Sequence, residues 1–145
     1  MPIWLAVSLA LATACVGQSG TPAGSPPGVT VALIPQPVSV EDRAGEPVAI
    51  DRDWAIEIEP SSPDLERIGR QLADLLRPAL DTSLTVRTAS GSAEGKVIRL
   101  SIQPDLPDAG DEGYELQVDN DAIRIAARTA AGVFYGVQTL RALLP

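Results

Sequence analysis

The sequence predicts an α+β domain: a mostly antiparallel sheet with two α-helices packed on one face. Three observations predict it. Several short segments alternate apolar and polar residues with period two, the mark of a half-buried strand. Two later segments switch to helical spacing directly after a capping residue. The resulting order is β-β-β-α-β-β-β-β-α, with hairpins and no regular βα repetition, which argues segregated helices and strands.

The elements can be taken in order. Val29–Ile34 is β-branched and apolar, and Pro35-Gln36-Pro37 stops it. Val38-Ser39-Val40 and Val48-Ala49-Ile50 read as two strands flanking the turn-rich Asp42–Gly45. Trp54, Ile56 and Ile58 then alternate with Ala55, Glu57 and Glu59, which puts Trp54 on the apolar face. Core packing is the reading for Trp54, rather than stacking on a sugar. Ser62-Pro63-Asp64 opens a helix with a capping hydroxyl, a proline in the first turn and an acid at the positive end of the dipole. Leu65, Ile68, Leu72, Leu75 and Leu76 form its apolar stripe, and Pro78 is expected to interrupt it after Arg77. Leu84-Thr85-Val86 begins another strand, and Ile98, Leu100 and Ile102 alternate through the next.

The most informative stretch is Gly113 to Pro145. Tyr114, Leu116 and Val118 alternate with polar residues, Asp119-Asn120-Asp121 tolerates turn geometry, and Ile123, Ile125 and Ala127 alternate again. This is a hairpin signal. From Thr129 the period changes, and Val133, Val137, Leu140 and Leu144 recur at helical spacing. Gly132 and Gly136 stand four apart on that helix, which suits close backbone approach to the sheet. At about 100° per residue, Tyr135 falls nearly opposite the apolar stripe and Phe134 lies to one side. One buried face does not need these aromatics. Phe134 and Tyr135 are read as a second face that docks on a neighbouring domain; the alternative is two ordinary surface aromatics, since scattered exposed apolar residues are normal.

Composition narrows the chemistry. The 145 residues suffice for one domain plus a leader. With no histidine, Ser–His and Cys–His nucleophile pairs are excluded, and the case for zinc is weak. The single cysteine, Cys15, excludes an intramolecular disulfide. A net charge of −8 argues against a nucleic-acid partner. Two tryptophans, two tyrosines and one phenylalanine equip the chain poorly for stand-alone sugar binding.

Residues 1–40 carry no charged side chain. Ile3–Cys15 is apolar but too short to cross a bilayer as a helix, and it suits the core of a secretory signal. Leu11-Ala12-Thr13-Ala14-Cys15 resembles a bacterial lipoprotein processing site, although Ala12 stands where a leucine is usual and no basic residue precedes the run. The expectation is a lipoprotein-type signal over 1–14, an acylated Cys15, a Gly/Ser/Thr/Pro-rich tether over 15–28, and a folded domain over 29–145. The product is then exported to the bacterial cell envelope, either the periplasm or the outer membrane, with a lipid on Cys15 holding it to the membrane; the alternative reading is an ordinary cleaved signal with an incidental cysteine.

Tyr114-Glu-Leu-Gln-Val118, Ile123-Arg-Ile125 and Gly132-Val-Phe-Tyr-Gly-Val-Gln-Thr-Leu140 occur in one order and spacing. Together with Ile34-Pro-Gln-Pro37, they resemble the N-terminal domain of family 20 glycoside hydrolases, the β-N-acetylhexosaminidases. Ala142 departs from that pattern, which has a glutamine there. The resemblance implies a non-catalytic domain whose helix leads into a catalytic barrel, the expected partner. It implies no metal or organic cofactor, and an enzyme that removes terminal N-acetylhexosamine units. That family uses an adjacent Asp-Glu pair in the barrel, and Asp111-Glu112 copies it superficially. No barrel precedes position 111, so these two are read as solvated loop carboxylates. No catalytic residue is expected in this chain. Two other readings stay open: a free-standing exported lipoprotein binding module, and the equivalent domain of another exo-glycosidase, such as an α-glucuronidase or a family 84 enzyme.

Overall fold

The structure, a computed structural model, describes residues 3–5, 38–41, 47–89, 91, 95–107 and 110–144. Cys15, the expected tether 15–28, the segment Val29–Ile34, the Ile34–Pro37 motif and the turn Asp42–Gly45 lie outside the described residues.

Seven strands and two helices are described: β1 (Ile3–Leu5), β2 (Val48–Ile50), β3 (Ala55–Glu59), α1 (Pro63–Leu80), β4 (Thr85–Thr88), β5 (Val97–Ile102), β6 (Tyr114–Val118), β7 (Ala122–Ala127) and α2 (Ala130–Leu143). The five strands β3–β7 form one sheet in the order β4-β3-β5-β7-β6. Both helices lie on the face that carries Ile56, Ile58, Leu100 and Ile125. The α1 glycine Gly69 sits over Ile56 and Ile58, and the α2 glycine Gly136 sits over Ile125. The predicted α+β class and the one-sided helix layer are what the structure shows.

The direction of the strands is a correction. The expected sheet is mostly antiparallel, whereas within the five-stranded sheet β3–β4, β3–β5 and β5–β7 run parallel and only β6–β7 runs antiparallel. The cause is the connections. Helix α1 carries the chain back over the sheet between β3 and β4, which makes that pair parallel. The β6–β7 hairpin then folds so that its second strand, not its first, lies beside β5. Alternation reports which face a residue takes and carries no information on strand direction.

A second correction concerns Val38–Val40. These residues are not a strand, and Val38 and Val40 are exposed. The position beside β2 is taken by β1, with Ile3 opposite Ile50, Trp4 opposite Ala49 and Leu5 opposite Val48. This strand is the described part of the apolar run Ile3–Cys15.

Helix α1 starts as predicted and ends later. The Ser62 hydroxyl accepts from the Leu65 backbone N–H at 3.2 Å, which satisfies one of the donors left open at a helix start. The helix runs through Pro78 to Leu80 rather than stopping at Arg77. Pro78 removes one intrahelical bond, to the carbonyl of residue 74, and Asp74 lies on the solvent side of the helix, where losing a donor costs least. Leu76 and Leu80 meanwhile are both buried. Burying one such side chain contributes ~1.5–3 kcal/mol, more than one solvent-exposed hydrogen bond. Asp81 then ends the helix in the left-handed region, φ 54°, which aspartate tolerates better than most residues.

The core is the layer between the sheet and the helices. Ile56, Ile58, Ile98, Leu100, Ile123 and Ile125 meet Leu65, Ile68, Leu72 and Leu76 from α1 and Val133, Val137 and Leu140 from α2. Trp54 is 2% exposed and donates its indole N–H to the Ala49 carbonyl at 3.1 Å. That agrees with the packing role read from the sequence and removes it as a sugar platform.

Candidate functional site: the outward face of the C-terminal helix

Helix α2 is held to the sheet at unusually short range. Thr129 caps it: the hydroxyl accepts from the Gly132 backbone N–H and donates to the Asp111 carbonyl, which ties the helix start to the preceding loop. A Cβ built on Gly132 would stand 2.4 Å from the Gly113 carbonyl oxygen, and one on Gly136 would stand 2.5 Å from the Ile125 side chain. The two glycines thus provide the close approach their spacing predicted. The Tyr114 hydroxyl and the Thr139 hydroxyl share a further hydrogen bond across the same contact. The inner face is therefore fixed, and with it the height and rotation of the outer face.

That outer face carries Phe134, 37% exposed, and Tyr135, 39% exposed. Their rings meet edge to face with centroids 5.9 Å apart, a favourable aromatic geometry. Ala131, Arg141 and Ala142 are exposed beside them, and Gln138 is half-buried. Arg141 is the single charged residue between Ala130 and Leu143. Helix α1 is built differently. Its outward side pairs Arg67 with Asp64, Arg70 with Glu66 and Arg77 with Asp74, so it neutralises itself and needs nothing but water. Of the two helices, α2 alone presents an aromatic, nearly uncharged surface.

Asp111 and Glu112 are both exposed, in the turn closed by the Gly113 N–H to the Gly110 carbonyl. Asp111 contributes its backbone carbonyl to the Thr129 contact. The pair sits in a loop before β6, as the sequence indicated.

The sequence reading missed a charged cluster on the face of the sheet opposite the helices. Glu57 alternates with the apolar residues of β3 and so reads as solvated, yet it is 2% exposed. Arg87 on β4 donates to its Oε1 through Nε at 3.2 Å and Nη2 at 2.9 Å, and Arg99 on β5 donates to its Oε2 at 2.8 Å. The three residues stand in one row across β4-β3-β5. The signal that could have found them is an acid and two arginines, each at an outward position of a strand, but pairing them requires the strand order. Beyond this row lies a shallow depression of about 280 Å³, with Glu59 and Glu115 at its sides and Ser101 and Ala126 in its floor. It contains no aromatic ring and has mixed charge, as a solvated sheet face does.

Among the described residues, no group of three or more His, Cys, Asp or Glu side chains is placed to hold a metal ion. No described helix is long and apolar enough to cross a membrane.

The comparisons with known proteins fit this architecture. Residues 30–145 match the family model for glycosyl hydrolase family 20, domain 2. The chain belongs to this family. A β-N-acetylhexosaminidase of Cellulomonas fimi is 40% identical over 111 residues, which is 77% of this chain and 22% of the relative. A β-hexosaminidase of Porphyromonas gingivalis is 32% identical over 118 residues, 81% of this chain and 14% of the relative. The structure of a Streptomyces plicatus N-acetyl-β-hexosaminidase superposes with a TM-score of 0.67 at 44% identity, covering 85% of this chain and 23% of that one. The family 20 domain described here therefore spans less than a quarter of the length of these relatives.

Proposed function

We propose that the chain is the non-catalytic N-terminal domain of an exported, lipid-anchored β-N-acetylhexosaminidase, and that it works by packing against the catalytic barrel and stabilising it. The barrel would remove terminal N-acetylhexosamine residues, and this domain would contribute no catalytic group. The observation that carries the reading is the outward face of α2. Phe134 and Tyr135 stand exposed on a helix with one charged residue, over an inner face already anchored by Gly132 and Gly136. An apolar surface of this kind is worth covering, because apolar area removed from water is stabilising in proportion to its size. Export and anchoring rest on the uncharged first 40 residues and on Cys15 within Leu11–Cys15.

The test has two arms. The purified chain should give no turnover of a chromogenic N-acetyl-β-glucosaminide, and mixing it with the separately expressed barrel portion of the Cellulomonas fimi relative should raise the barrel's melting temperature. Turnover by the chain alone, or a barrel indifferent to its presence, overturns the reading. For the anchor, radiolabelled palmitate should be incorporated into the full-length chain in a bacterial host and lost in Cys15→Ser. Equal labelling of the variant would refute lipidation at that residue.

A further inference from the structure

We propose that β1 is a placeholder: in the unprocessed chain Ile3–Leu5 holds an edge of β2, and removal of the leader passes that edge to Val38–Val40. The proposal rests on the reading of residues 1–14 as a cleaved leader. It goes beyond that reading by giving the leader a contact inside the fold.

The origin of β1 carries the argument. It pairs antiparallel with β2, Ile3 opposite Ile50 and Leu5 opposite Val48. Yet the family domain begins at residue 30, and β1 comes from the uncharged apolar run that precedes it. A strand inside the domain is thus partnered by a segment from outside it. Among the described residues, β2 pairs with β1 and with no other strand. Cleavage before Cys15 would carry β1 away and leave backbone donors and acceptors of β2 without their partners.

Val38–Val40 suits the freed edge. It has apolar side chains at its first and third positions, as Ile3–Leu5 does. Laid antiparallel with Val38 opposite Ile50 and Val40 opposite Val48, it turns both valines to the side on which Ile50 and Val48 are buried. Both are now in water, Val38 at 107% and Val40 at 65% exposure, so the move buries apolar surface that the unprocessed chain leaves wet. Two opposing effects explain why β1 holds the edge while it is present. The local segment closes a loop over residues 41–47 alone, whereas β1 closes one over residues 6–47, and the shorter loop costs less entropy. Against this, Ile3, Trp4 and Leu5 offer more apolar area than Val38, Ser39 and Val40. Removing the leader removes that advantage and leaves the cheaper closure.

The experiment compares two forms of the protein. One is the full chain, made by cell-free synthesis without membranes. The other is the processed chain, recovered in detergent from a bacterial envelope. Mass spectrometry fixes where each begins. The amides of residues 38–40 should exchange with solvent freely in the full chain and at least about 10-fold more slowly in the processed one, with β2 protected in both. Ser39→Pro combined with Val40→Pro removes an N–H from each edge of the segment. It should lower the melting temperature of the processed chain by about 5 °C and leave that of the full chain unmoved. Protection of residues 38–40 in the full chain would mean that they never wait for the leader, and overturns the exchange. Free exchange there in a correctly processed chain, or a proline variant that melts like its parent, overturns it too. An envelope chain that retains Ile3–Leu5 instead refutes the cleaved leader, and the exchange falls with it.

Discussion

Gly132→Ala should destabilise the domain by about 2 kcal/mol and lower its melting temperature by about 10 °C. Alanine is the better residue for a helix interior, by about 1 kcal/mol. Here that gain is outweighed, because the new Cβ would stand 2.4 Å from the Gly113 carbonyl oxygen and 2.7 Å from the Ala127 Cβ. The first obstacle is backbone and cannot rotate away, so α2 must lift from β6 and β7. Overpacking of that kind costs about 3 kcal/mol or more. Two other helical glycines calibrate the effect. Gly136→Ala meets the Ile125 Cγ2 at 2.5 Å, the end of a side chain that can adjust, so its cost should be smaller. Gly69→Ala on α1 meets the Val86 Cγ1 at 3.0 Å and should be neutral or slightly stabilising. Urea unfolding followed by the fluorescence of buried Trp54 measures all three. If Gly132→Ala unfolds at the wild-type midpoint, the close approach of α2 to the sheet is wrong.

Glu57→Ala should cost about 3 kcal/mol near neutral pH, the lower end for a broken buried ion pair. The lower end applies because the two arginines it abandons are partly solvated, with side-chain exposures of 47% for Arg87 and 23% for Arg99. The same carboxylate makes stability depend on pH. Burial alone would push the Glu57 carboxyl up, but hydrogen bonds from Arg99 and Arg87, together with their charges, outweigh it and hold the carboxyl below its ordinary 4.5. A group depressed in the folded state contributes stability that is fully present above its unfolded value and is lost as pH falls through the folded one. Wild type should therefore lose this contribution as acid is added below about pH 4.5, while Glu57→Gln has none to lose. The stability gap between the two should be widest near neutral pH and should narrow in acid. Unfolding midpoints at several pH values decide it, and a gap that stays constant into strong acid would show that Glu57 is not ionised in the fold.

Glu57 also shows where legibility in the sequence ended. Period two places it correctly on the face away from the helices. Its burial comes from Arg87, 30 residues later, and Arg99, 42 residues later, and nothing local links the three. Phe134 and Tyr135 lie at the other extreme. Their exposure follows from their angle to the Val133–Val137–Leu140 stripe, so one helix period was enough to place them. Val38–Val40 failed for a third reason. Its alternation is that of a strand, but alternation names no pairing partner, and the segment paired with β2 is Ile3–Leu5.

By itself the sequence determined the existence and type of each element from Val48 onward, though not the end of α1, as well as the α+β class, the caps at Ser62 and Thr129, the burial of Trp54 and the family to which residues 30–145 belong. These follow from periodicity, capping chemistry and a long motif, all readable within a few turns or a few strand residues. Only the tertiary structure decided that the sheet is mostly parallel, that β7 lies inside β6, and that Glu57 binds two arginines. Strand order and direction are set by how α1 and the hairpin cross the sheet, and such crossings join residues too far apart in the chain for local pattern to record them.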